Sequence, residues 1–196
     1  LPVRLHAPNI EAFATISRAI YSKRVVSITY ISENGPSIRE IVPFSFAGNG
    51  LRWHVRAFDR KRSIFADFVI NRIKNAELVA ESKIQAHETR ENDHQWNRMV
   101  DLEITPHPDI KARGKSTEFI EYEHKMTDGM LTYKVRASLA GYILRLWNVD
   151  CTPEATMPTN RQLWLRNPQA LYGVSSAKLA PGYIQSEGAN KLQTDI

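Results

Sequence analysis

Between Val25 and Ala80 the chain is cut into five short β-branched and aromatic runs, each closed by turn formers, a pattern that few folds accept. Val25 to Ile31 ends at the turn Glu33-Asn34-Gly35-Pro36. Ser37 to Ala47 contains Pro43, which has no N–H to give to a ladder and so predicts a bend, a bulge or an edge position. Gly48-Asn49-Gly50 is a hairpin signal, because Asn-Gly tolerates the positive φ angles of a type I′ turn. Leu51 to Asp59 is the third run, followed by the basic turn Arg60-Lys61-Arg62, and Ser63 to Ile73 and Ala76 to Ala80 complete the set. A helix over residues 9–23 precedes them. Asn9 is its N-cap, Glu11 lies where the helix dipole favours an acid, and Ile10, Phe13, Ile16 and Ile20 recur at helical spacing. One helix and five tightly connected strands predict a small β-barrel of the Sm or SH3 kind.

The pattern then changes. Residues 81–95 are polar and read as a partly helical linker. A strand at 100–105, a helix within 109–124 weakened by Gly114, the turn Thr127-Asp128-Gly129 and a strand at 131–137 follow. Residues 138–148 predict a helix with Leu139, Tyr142, Ile143, Leu146 and Trp147 on one side. From Cys151 to Ile196 turn formers dominate and no assignment emerges. The expected organisation is α+β throughout: a barrel with its leading helix at 1–82, a linker at 83–99 and a small α+β domain at 100–196. No apolar run approaches the roughly 18 residues of a membrane helix. The start Leu1-Pro2-Val3-Arg4 lacks the features of a signal peptide and an initiator Met, which predicts a fragment of a cytoplasmic protein. Cys151 is the only cysteine, so an internal disulfide and a cysteine-rich zinc site are excluded.

Charge is unevenly placed. Residues 1–80 carry 12 Lys and Arg against 6 Asp and Glu, while the whole chain has a net charge of +5. The basic surplus therefore belongs to the first half, where it would concentrate anionic partners. The third strand concentrates it further. Alternation puts Leu51, Trp53, Val55 and Ala57 on one face, read as core, and Arg52, His54, Arg56 and Phe58 on the other. His54 and Arg56 are donors suited to phosphate or carboxylate oxygens, unless this face is simply solvated. Arg72 shares the parity of Phe68 and Ile70, so it needs a partner if it is buried; a salt bridge to Asp67 or Glu40 is the structural alternative. Tyr30 has the parity of Ile28 and Val26 and packs as core, with a hydroxyl that could line the barrel mouth. Ser45, just after Pro43, is a further hydrogen-bonding candidate.

Enzyme signatures are absent: no Gly-rich phosphate loop, nucleophile elbow or zinc-binding histidine motif occurs. His87, Asp93 and His94 match no standard metal spacing, and Cys151 has no catalytic context.

The order Val26-Ser27-Ile28-Thr29-Tyr30, Arg39-Glu40-Ile41-Val42-Pro43, Trp53-His54-Val55-Arg56-Ala57 and Phe68-Val69-Ile70-Asn71-Arg72-Ile73 resembles the WYL domain. That family is named for a Trp-Tyr-Leu triplet, which here reads Trp53-His54-Val55, so a histidine replaces the family tyrosine. Val135-Arg136-Ala137-Ser138-Leu139-Ala140-Gly141-Tyr142 and Trp147-Asn148-Val149-Asp150 are similar to the C-terminal domain of WYL regulators encoded beside bacterial phage-defence systems. The resemblance implies the sensor-and-dimerisation portion of a homodimeric transcriptional repressor, with no catalysis, cofactor or metal. It implies a nucleotide or single-stranded nucleic-acid effector at Tyr30, Ser45, His54, Arg56 and Arg72, and operator DNA bound only through an N-terminal winged helix-turn-helix that this chain lacks. A direct Sm- or OB-like single-stranded nucleic-acid binder is the rival reading; it needs exposed aromatics along the basic groove. Dimerisation is expected through residues after about 100, where Trp147, Leu163, Trp164, Leu165, Leu171 and Tyr172 offer apolar surface.

Overall fold

A computed structural model of the chain describes residues 7–48, 52–157 and 160–184. The chain divides into two compact units, 1–93 and 94–196.

The first unit opens with helix α1 (Ile10–Ser22). Asn9 caps it by accepting from the Glu11 and Ala12 N–H groups at 2.9 and 3.2 Å, and Lys23 ends it in the left-handed region at φ 50°. Its buried face is Ala12, Thr15, Ile16 and Ala19, so Ile16 alone of the expected apolar stripe is fully buried, and Ile10 and Phe13 are exposed. Five strands follow: β1 (Val26–Ser32), β2 (Gly35–Gly48), β3 (Trp53–Asp59), β4 (Ile64–Val69) and β5 (Ile73–Leu78). They form one antiparallel sheet in the order β4-β3-β2-β1-β5. Asn49 and Gly50 of the expected turn Gly48-Asn49-Gly50 lie outside the described residues.

β2 is the hinge of this sheet. Its first half pairs with β1 as far as Ile41 and its second half with β3, and the register slips at Phe44, between Pro43↔Ala57 and Ser45↔Arg56. Pro43 therefore sits where β2 has already left β1, and its missing N–H costs no ladder bond there. Among the described residues no ladder closes the sheet, so the structure shows a five-stranded antiparallel sheet and does not by itself establish the expected Sm- or SH3-like barrel. The 3₁₀ turn Ile70–Arg72 joins β4 directly to β5 without a ladder between them, so both strands remain edges.

Each face of this sheet buries apolar side chains. Val26, Ile28, Tyr30, Ile41, Val55, Ala57, Phe68 and Ile73 pack with Ala12, Ile16 and Ala19 of α1. The opposite face carries a smaller cluster, Val25, Val42 and Phe58 with Phe65, Val79 and Ile84. Ile84 belongs to a strap, residues 79–93, whose 3₁₀ turns Ala86–Glu88 and Arg90–Asn92 lie within the same unit. The stretch 83–99, expected as a linker, thus contributes to both units.

The second unit begins with the single turn α2 (His94–Asn97) and holds the sheet β7-β6-β8, formed by β6 (Met99–Pro106), β7 (Leu131–Arg136) and β8 (Leu163–Leu165). The segment expected as one helix is two, α3 (Pro108–Ala112) and α4 (Glu118–Glu123), separated around Gly114 at φ 71°. Helix α5 (Ala137–Leu146) follows β7 directly. Val100, Leu102 and Ile104 of β6 form the core with Ala137, Ala140 and Leu144 of α5 and with Leu163, Leu165, Leu171 and Val174 from the tail. The tail that carried no periodic signal therefore supplies a strand and two 3₁₀ turns, Pro168–Leu171 and Ser175–Leu179. Among the described residues no helix is long and apolar enough to cross a membrane.

Candidate functional site

The register of β2, β3 and β4 sorts the predicted residues. Ala47, His54 and Val69 lie opposite one another, and so do Ser45, Arg56 and Asp67, so His54, Arg56 and Ser45 share one face of the sheet. Tyr30 packs on the other face, edge-to-face against Phe68 at 5.1 Å, and its hydroxyl accepts from the Val69 N–H at 3.3 Å. Val69 leads straight into the turn that carries Arg72, whose side chain is exposed. Tyr30, His54 and Arg72 are thus brought together around the end of β4. The Ser45 hydroxyl donates to the Phe46 carbonyl at 3.2 Å, one ladder step further along.

His54 is only 5% exposed. Burial, reinforced by the positive charge of Arg52 and, less strongly, of Arg72, lowers its pKa from 6.5 to about 4 against the opposing pull of a bond to the Ala47 backbone. The imidazole is therefore neutral at pH 7 and sits in a net positive field. Arg52 belongs to this group although it was not selected from the sequence; its shared parity with His54 was the available signal. Trp53, expected in the core, is 56% exposed, because β3 begins there and runs past the end of the core.

Arg56 is only 4% exposed and is engaged by two carboxylates. Its Nε and Nη2 donate to both oxygens of Asp93 at 2.7 and 3.1 Å, and its Nη1 lies 3.3 Å from Asp67. Burial opposes its charge, but the Asp93 and Asp67 contacts outweigh that and raise its pKa. The strap is fastened a second time by Glu88, which accepts from Arg60 Nε and Nη2 at 2.7 and 2.8 Å, and Phe58 meets His87 edge to face at 5.4 Å. The strap thus closes the Asp59 end of this face. Nothing in the sequence pairs residues 37 positions apart, so Asp93 could not be found there.

The second unit has a buried titratable pair of its own. His107 Nδ1 accepts from the Asp109 N–H at 3.3 Å, which leaves Nε2 to carry the proton and donate to Asp150 at 3.1 Å. Asp150 also accepts from the Thr152 N–H and hydroxyl and the Met157 N–H; burial pushes its pKa up, but these bonds hold it below the ordinary value. The pair pins the loop 150–157. Burial pushes the neighbouring Cys151 thiol up to about 12, so it is protonated and packed. Among the described residues no group of three or more His, Cys, Asp or Glu could hold a metal ion.

Residues 11–78 match the WYL domain, and residues 99–171 match the C-terminal dimerization domain of the BrxR transcriptional regulator. The chain therefore belongs with the WYL-domain proteins that carry a BrxR-type dimerisation domain. Among its curated relatives are two proteins described as the DNA-binding transcriptional repressor CapW. The one from Pseudomonas aeruginosa is 32% identical over 161 residues, covering 81% of this chain and 52% of the relative. The one from Escherichia coli (strain KTE188) is 28% identical over 176 residues, covering 89% and 57%. The chain spans about half the length of the curated relatives it matches. A solved structure, the proteasome accessory factor B/C (PafBC) of Arthrobacter aurescens, covers 100% of this chain and 29% of that one at 18% identity and a TM-score of 0.40.

Proposed function

We propose that this chain is the effector-sensing and dimerising portion of a non-enzymatic bacterial transcriptional repressor, and that its WYL domain binds a phosphate-bearing nucleotide or short single-stranded nucleic acid. Operator DNA is read, on this proposal, by a part of the protein outside these residues. The observation that carries it is the positive field at the buried His54, to which Arg52 and Arg72 contribute. Tyr30 holds the backbone at Val69, from which the Arg72 turn departs. Arg56 fixes the strap, and Ser45 lies beside it. The exposed Trp53, the residue before His54, offers a surface on which a base can stack. To regulate, such a ligand must favour one of two states of the protein; tight binding alone shifts nothing.

The test is a titration of Trp fluorescence with nucleoside monophosphates, cyclic nucleotides and a short single-stranded DNA at low and high salt. Binding should weaken steeply as salt rises, because charge-assisted phosphate contacts are screened. Binding that is indifferent to salt, or absent for every probe, would overturn the proposal.

A further inference from the structure

The second unit holds a cavity of about 260 Å³ that the site on the first unit does not touch. Its walls are the ends of two helices and the approach to a strand. Glu123 and His124 end α4, Trp147 and Asn148 follow α5, and Gln162 and Leu163 lead into β8. Leu163 is the buried member of the lining, and Asn160 adds a further carboxamide.

The backbone of these walls is pinned. The Gln162 carbonyl accepts from the His107 N–H at 2.8 Å and the Leu163 carbonyl from the Asp150 N–H at 2.9 Å. One wall therefore hangs on the buried His107–Asp150 pair. Asn148, in the left-handed region at φ 53°, accepts from Arg161 Nη1 on both its backbone carbonyl and its Oδ1. Trp147 meets Tyr133 edge to face at 5.2 Å, and the His124 ring stands 6.2 Å from it. The side-chain ends, by contrast, are left over. Glu123, Asn160 and Gln162 bond through their side chains to no other described residue, and Asn148, with its Oδ1 taken, keeps its amide NH2 as a donor. Fixed walls with unused polar tips around an indole are the arrangement of a preformed small-molecule site.

We propose that this cavity binds an uncharged nucleobase, free or as its nucleoside, with Trp147 as the stacking surface and the carboxamides and Glu123 reading its edge. A carboxamide presents a donor beside an acceptor, the pattern with which Asn and Gln pair with adenine, and a carboxylate accepts from an exocyclic amino group as it does from cytosine. Stacking on an aromatic ring tolerates any base, because every base has a π-face. The lining carries Glu123 and neither Lys nor Arg, so a phosphate or carboxylate finds no cation there and meets a like charge. The volume lies just below the roughly 300–1,000 Å³ of sites for drug-sized ligands, which limits the occupant to a single small ring system with its sugar. This ligand is thus unlike the phosphate-bearing effector proposed for the WYL domain, and neither proposal depends on the other.

The experiment is heteronuclear NMR of the isotope-labelled full chain, read at the indole N–H signals of its four tryptophans, with Trp147→Phe assigning one of them. The probes are adenosine, cytidine, adenosine monophosphate and glucose. The proposal expects a nucleoside at millimolar concentration to move the Trp147 signal along a saturating curve that is indifferent to salt. Glu123→Ala should weaken that binding at least tenfold, as the loss of a bond to a charged group does, and Gln162→Ala about threefold. Both residues are exposed, and unchanged Trp96 and Trp164 signals in the variants verify that the unit keeps its fold. A Trp147 signal that no nucleoside moves, that only glucose moves, or that responds equally in both variants overturns the proposal. Shifts confined to Trp53 report the WYL domain alone and also overturn it.

Discussion

Replacing Asp93 with Asn removes one of the two carboxylates that hold a buried guanidinium. Arg56 is then left, 4% exposed, with Asp67 at 3.3 Å as its remaining ionic partner. Breaking a buried pair by removing one partner costs about 3–5 kcal/mol, because the other charge stays uncompensated. Asp67 still offsets part of that charge, so the expected loss sits near the lower bound, about 3 kcal/mol, or roughly a hundredfold in the opening equilibrium. A global denaturation curve reads two units at once and is not two-state by default. Native-state hydrogen exchange at the β3 amides is the better assay, since it reports the first unit alone. The variant should raise exchange at Val55–Phe58 and across the strap by about that factor. Replacing the trio together, as Arg56→Met/Asp67→Leu/Asp93→Leu, should recover most of the loss, because no buried charge then remains. A change below threefold in Asp93→Asn would refute the claim that this pair fastens the strap.

Arg72→Ala should weaken nucleotide binding by about 1.5–3 kcal/mol, the usual worth of a hydrogen bond to a charged group, while leaving thermal stability unchanged; an unaltered affinity removes Arg72 from the site. His54 makes the first unit acid-sensitive: the unfolded chain takes up a proton near pH 6.5 and the folded one only near pH 4, so stability is lost as pH falls through that window. The span corresponds to roughly 3 kcal/mol, and His54→Gln should flatten the wild-type slope of urea stability between pH 7 and 4.5; parallel slopes would contradict the burial argument. A Cβ on Gly141 would lie 1.8 Å from the Ser176 carbonyl oxygen, where Ser176 Oγ also accepts from the Gly141 N–H at 3.0 Å. Gly141→Ala should therefore cost the second unit about 3 kcal/mol or more, with backbone on both sides of the clash, against about 1 kcal/mol for Ala140→Gly; calorimetry with equal melting shifts would sink that reasoning.

Local signals carried most of the first unit. The Asn9 cap, the turn at Glu33–Pro36 and the alternation of β3 are each decided within a few residues, and the structure has all three. Trp53 was misplaced because alternation says which face a residue takes but not where the core ends. Ile10 and Phe13 were misplaced for the converse reason: α1 approaches the sheet through Ala12, Ile16 and Ala19, and small residues give no periodic signal. The tail was illegible because β8 is three residues long and exists only by pairing with β6. Of the candidate site, His54 and Arg72 were visible by residue type, but the state of Arg56 depends on a residue 37 positions away.

That dependence also changes what the basic charge means. Divided at residue 80, the sequence assigns 12 basic and 6 acidic residues to its first part. Divided where the structure divides, residues 1–93 hold 14 basic and 10 acidic residues, because the strap adds Glu81, Glu88, Glu91 and Asp93, of which Glu88 and Asp93 bond to Arg60 and Arg56. Those acids do not dilute the charge evenly. Asp93 engages Arg56, Glu88 and Glu40 engage Arg60, and Asp59 engages Arg39 and Arg62. These contacts, with the Asp67–Arg56 pair, run from the middle of β3 to its Asp59 end. At the Trp53 end the charges of Arg52 and Arg72 both lower the His54 pKa. On the proposed function, an incoming phosphate gains little at Arg56, because there it must displace carboxylates that already make the same bonds.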